Sequence, residues 1–90
     1  MGNVRNNQVS ITTTAVEVSP AQERQELILT NVSTGGEIIS ISFGGTAVAG
    51  TGIVLNPFSV YSTSDAKSAP STSISAVCSG AGGLLAIMER

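Results

Sequence analysis

Ninety residues carrying a formal charge of −2, with no His, no Trp, one Asp and one Cys, leave little with which to run catalysis or hold a metal. A chain this short makes one domain and hides only roughly 60 to 65% of the surface its unfolded form exposes, so its core is marginal and calls for a staple. The lone Cys78 makes no disulfide within the chain, which leaves oligomerisation as the staple.

Along the chain, short bursts of period-two alternation separated by Gly, Pro, Asn and Ser predict an all-β fold. The expected form is a small antiparallel β-sandwich or jelly-roll-like domain of six to eight short strands. Residues 1–8 read as an extended polar arm and residues 9–90 as the single sandwich domain. Val9, Ile11 and Thr13 share one side of a first strand, which Val16 and Val18 continue or follow after a bulge. After the break at Ser19-Pro20, the polar lead-in Glu23 to Glu26 opens a second strand over Leu27 to Val32, with Leu29 in its core. Gly35-Gly36 then suits a tight hairpin turn. In the next strand Ile39, Ile41 and Phe43 face in while Ser40 and Ser42 face out.

Gly44-Gly45 leads into a Gly- and Ala-rich bend over Thr46 to Gly52, after which Ile53 and Leu55 resume the apolar pattern. Pro57 interrupts the ladder, and Phe58, Val60 and Tyr61 make an edge strand, followed by a polar loop from Ser62 to Ser73. Ile74, Ala76 and Cys78 form one face of the following strand. Gly80, Gly82 and Gly83 turn the chain into a last strand in which Leu85 and Ile87 point to the core, before the polar pair Glu89-Arg90.

Chemistry finds few handles. The abundant serines have no His as a base and read as the wet side of strands, and Cys78, in register with Ile74 and Ala76, reads as a small buried hydrophobe. Gly80 to Gly83 lacks the Lys-Ser or Lys-Thr of a phosphate loop. No catalytic, metal or cofactor site is therefore expected, and no small-molecule substrate. Arg5, Arg24, Lys67 and Arg90 are scattered, so no basic stripe invites nucleic acid. The longest apolar runs fall far short of the roughly 20 residues that cross a bilayer, and Met1 to Gln8 lacks an apolar leader, so neither membrane nor secretion is expected. A carbohydrate-binding module would need aromatic platforms, for which Tyr61 is the one candidate.

The combination Ile39-Ser40-Ile41-Ser42-Phe43-Gly44-Gly45-Thr46-Ala47, Ala49-Gly50-Thr51-Gly52-Ile53 and Ser79-Gly80-Ala81-Gly82-Gly83 resembles small β-rich accessory virion proteins of tailed bacteriophages, over roughly residues 24 to 89. The resemblance implies a capsid decoration (cement) protein bound to the major capsid protein, made in the host cytoplasm and resident in the virion. A tail or head-fibre component is the close alternative. A homotrimer is the preferred assembly, because capsid proteins meet at three-fold points. Its expected contacts are the arm residues Asn3, Val4, Arg5, Asn6 and Asn7 with Phe58 and Tyr61 at a sheet edge.

Overall fold

The computed structural model describes residues 5–63 and 71–90. Eight strands run β1 (Arg5–Ile11), β2 (Val16–Ser19), β3 (Leu27–Asn31), β4 (Ile39–Phe43), β5 (Ile53–Leu55), β6 (Val60–Thr63), β7 (Ile74–Cys78) and β8 (Gly83–Glu89). They form two antiparallel four-stranded sheets: sheet A in the order β1-β8-β3-β6 and sheet B in the order β2-β7-β4-β5. First pairs with last, second with seventh, third with sixth and fourth with fifth, as when one long antiparallel hairpin is folded over onto itself. That nesting is the jelly roll, an all-β double sheet.

Period-two patterning explains why these segments pair as they do. In β3, Leu27, Leu29 and Asn31 are buried while Ile28 and Thr30 are half-buried, and β8 alternates the same way from Gly83 to Glu89. Ile39 in β4 and Ile74, Ala76 and Cys78 in β7 meet them from sheet B, giving one core that also contains Ile11, Ile41, Leu55, Leu85 and Ile87. Phe43 and Ile53 are only partly buried and pack on its margin, with Val9, Val18 and Tyr61 beside them. Each fully buried Ile or Leu contributes about 1.5–3 kcal/mol. Gly83 starts β8 where no side chain fits, since a Cβ there would lie 2.6 Å from the Cys78 sulfur and 2.7 Å from the Ile11 carbonyl oxygen.

The nesting sends consecutive strands to opposite sheets everywhere except between β4 and β5. Three expectations change as a result. Val9 to Val18 is not one strand: β1 ends at Ile11 and β2 lies in the other sheet. The Gly35-Gly36 turn, with Gly36 at φ 84°, crosses between the sheets and closes no hairpin. Arg5 to Gln8, assigned from sequence to the arm, forms the first half of β1 and pairs with Glu89 to Ala86, while residues 1–4 lie outside the described residues. Ser62 and Thr63 likewise belong to β6 rather than to the polar loop, of which 64–70 lie outside the described residues.

One end of the core is polar. Arg24, 4% exposed, donates from Nε to Glu89 Oε1 (2.7 Å), from Nη1 to the Thr72 carbonyl (2.8 Å) and from Nη2 to Ser19 Oγ (2.9 Å) and the Pro20 carbonyl (2.8 Å). Ser19 Oγ donates in turn to Glu89 Oε2 (3.0 Å). The sequence placed Arg24 on a solvated lead-in; it is instead the tie joining the β2–β3 connection, the end of β8 and the segment before β7. The two chain stretches beyond it are also stitched together, as Arg90 N donates to the Glu26 carbonyl (3.1 Å) and Arg90 pairs with Glu26 (2.6 Å).

Candidate interaction surface

The two outer faces of the jelly roll differ. On sheet B, the segment Gly44 to Gly52 folds back over β4 and β7. The Ala47 amide donates to Ser75 Oγ (3.0 Å) and the Gly50 amide to Ser40 Oγ (2.9 Å). Ser40 and Ser75, expected on a wet face, are buried beneath it with Val77, and Ala47 of the segment itself is buried against them. Their hydroxyls anchor a roof. Gly52 sits at φ 74° against the Ile41 carbonyl oxygen, a conformation and a closeness that leave no room for a side chain.

Sheet A has no such cover among the described residues. By register its outward positions are Asn6, Gln8 and Ser10 on β1, Leu84, Ala86 and Met88 on β8, Ile28 and Thr30 on β3, and Val60 and Ser62 on β6. None is charged. On this face lies a depression of about 570 Å³ lined by Ile28, Ala86, Ile87 and Met88 together with Asn6, Asn7, Gln8 and Thr30. The strip between β8 and the two edges is thus greasy in the middle and neutral at its borders.

Phe58 stands at the rim of this face. Ser59 N donates to the Asn56 carbonyl (2.9 Å), closing a β-turn with Pro57 second and Phe58 third, at φ 65°. The third place of such a turn favours Gly or Asn, and an ordinary residue held there costs on the order of 1–3 kcal/mol. The Phe58 amide donates to the Asn31 carbonyl (2.7 Å), which fixes the turn beside the end of β3. The side chain is nevertheless 68% exposed, with Val60, 58% exposed, two residues on.

The residues assigned to partner contacts do not form one patch. Asn3 and Val4 lie outside the described residues; Arg5, Asn6 and Asn7 are exposed on edge strand β1. Phe58 and Tyr61 belong to the opposite edge, with β8 and β3 in between. Tyr61 points inward and is half-buried, its ring 5.7 Å from that of Phe43, so it offers no open platform for a sugar. The turn glycines behave differently from one another. Gly44, like Gly36, has a positive φ, of 85°. A Cβ on Gly35 or Gly82 would lie 2.8 Å from the Glu37 carboxylate, and one on Gly80 3.4 Å from Glu37 Cγ. The two glycine turns close on this side chain, whose Oε1 accepts from the Gly35 amide (3.1 Å). Gly45 lies at the start of the roof, 3.6 Å from Ser42 Oγ by the same measure. No group of three or more His, Cys, Asp or Glu able to hold a metal occurs among the described residues, and Cys78 is a buried free thiol.

No family model matches the sequence, and no curated protein does. Solved structures match through shape. A cupin-2 domain protein from Shewanella frigidimarina aligns with a TM-score of 0.59 at 12% identity, over all of this chain and 72% of that one. A de novo designed double-stranded β-helix aligns at 0.52 and 16% identity, over 98% of this chain and 97% of the design. PirA aligns at 0.52 and 16% identity, over 100% of this chain and 95% of its own. At these identities the likeness is one of fold alone.

Proposed function

We propose that this chain is a structural assembly protein, namely a capsid decoration (cement) protein of a tailed-phage head that associates with copies of itself, as a trimer by preference, and with the major capsid protein. The observation that carries the reading is the uncharged outer face of sheet A, which no described residue covers, in a jelly roll whose other sheet is roofed over β4 and β7. Interface centres are depleted of charge, and weak contacts repeated at many equivalent sites hold firmly.

Incubating the purified protein with assembled heads lacking it, followed by sedimentation, tests the proposal. Saturable co-sedimentation, with hundreds of copies per head and added resistance of the head to heat, is the expected result. A protein that stays in the supernatant overturns the capsid reading. A copy number in the tens, confined to a tail or a five-fold position, moves it to the tail or head-fibre alternative.

A further inference from the structure

The strained turn at Phe58 and the depression on sheet A are parts that the fold itself does not use. Neither the core nor the polar tie involves Phe58, and an Asn or Gly would hold the turn with less strain. Strain kept at an exposed aromatic is a mark of presentation. The depression, for its part, is lined by apolar and uncharged polar residues in equal number and contains no charge that a partner would have to leave dehydrated.

We infer that Phe58 of one copy docks in the Ile28–Ala86–Met88 depression of a second copy of this chain. The inference rests on the assembly reading above and names its contact. Three features favour a second copy as the occupant. The knob and the hollow are carried by the same chain, and both are neutral, as are Asn56, Pro57, Ser59 and Val60 around the knob. Phe58 is 68% exposed and is not among the residues that line the hollow, so a molecule does not fill its own hollow with its own ring. A two-fold contact of this kind is reciprocal, each ring entering the other copy's hollow, and a head-to-tail one closes into a ring where its rotation allows.

The size of the face sets the strength. Four strands about 4.8 Å apart and about six residues long present about 400 Å² per copy. A pair therefore covers about 800 Å² in all, below the roughly 1,200 Å² of firm complexes. Association in free solution is accordingly weak and concentration-dependent, and becomes firm where many copies are held close together.

Sedimentation equilibrium of the full chain from micromolar to millimolar concentration tests this. The wild type is expected to gain mass with concentration. Phe58→Asn is expected to weaken association by about 10- to 100-fold while its melting temperature stays equal or rises, because Asn tolerates the positive φ. Met88→Glu, which puts a charge in the hollow, should weaken association alike, and Val48→Ser, at an exposed apolar site on the other face, should not. A lower melting temperature for Phe58→Asn with unchanged self-association would make Phe58 a structural residue and overturn the inference. Association that ignores both Phe58→Asn and Met88→Glu overturns this contact and leaves the assembly reading standing. A wild type that remains a monomer at millimolar concentration sinks the self-association in both.

Discussion

Sheet B and sheet A bury their inner faces against one another in the same manner, yet residues 44–52 roof β4 and β7 on the outer face of B while no described residue covers that of A. The serines of B show how a polar strand position becomes interior: the Ser40 and Ser75 hydroxyls accept the amides of Gly50 and Ala47, so the roof comes down with its donors satisfied. On A, the side chains of Asn6, Gln8 and Thr30 make no hydrogen bond to any described residue. Equivalent positions in the two sheets thus divide between internal fastening and availability to something outside.

Substitutions that separate the shared interior from the two exteriors sharpen this contrast. The largest effect belongs to the interior common to both. Ile41→Asp places an unpaired carboxylate in the core and is expected to abolish folding; a soluble variant with a cooperative melt and a wild-type circular dichroism spectrum would refute the inward face of β4. Arg24→Ala is next, because it removes the shortest contact of the 8%-exposed Glu89 and leaves it only Ser19, Gln22 and the more distant Arg5, and a loss of about 3 kcal/mol in urea unfolding is expected. Gly52→Ala attacks the roof alone. Its Cβ meets the Ile41 carbonyl at a positive φ, so a loss of about 2–3 kcal/mol is expected, with faster hydrogen exchange at the Ala47 and Gly50 amides. Slowly exchanging amides in that variant would show that the roof tolerates the change.

The smallest effect compares the faces directly. Ser40→Ala removes the acceptor of the Gly50 amide and should cost about 1 kcal/mol, or about 4–8 °C in melting temperature. Thr30→Ala, on the bare face, should stay within about 0.5 kcal/mol in the dilute monomer. Equal losses at the two positions would erase the distinction between them.

Strand identity was legible where one local signal decided it. Ile39-Ser40-Ile41 and Ile74-Ser75-Ala76 announce strands and their inward sides through alternation alone. Sheet membership was not, because it depends on pairing between residues far apart, such as Arg5 with Glu89 and Ile39 with Cys78. Gly35-Gly36 looks the same to a local reading whether it closes a hairpin or crosses between sheets. Burial of polar groups escaped for a related reason. Composition cannot tell a serine facing water from Ser40 under a folded-back amide, nor a solvated arginine from Arg24 with its donors aimed at Glu89, Ser19 and two carbonyls. At the candidate contact, Phe58 was visible as an exposed edge aromatic. Its left-handed backbone and the hollow across the sheet arise from the turn and the register, which no short stretch of sequence spells out.

Arg5 and Glu89 are cross-strand neighbours, with Cα atoms about 5 Å apart, so Arg90 ends beside the start of β1, at the opposite pole from Phe58. A cargo domain spliced on next to Arg5 or Arg90 would ride at the far pole, leaving the aromatic tip unobstructed.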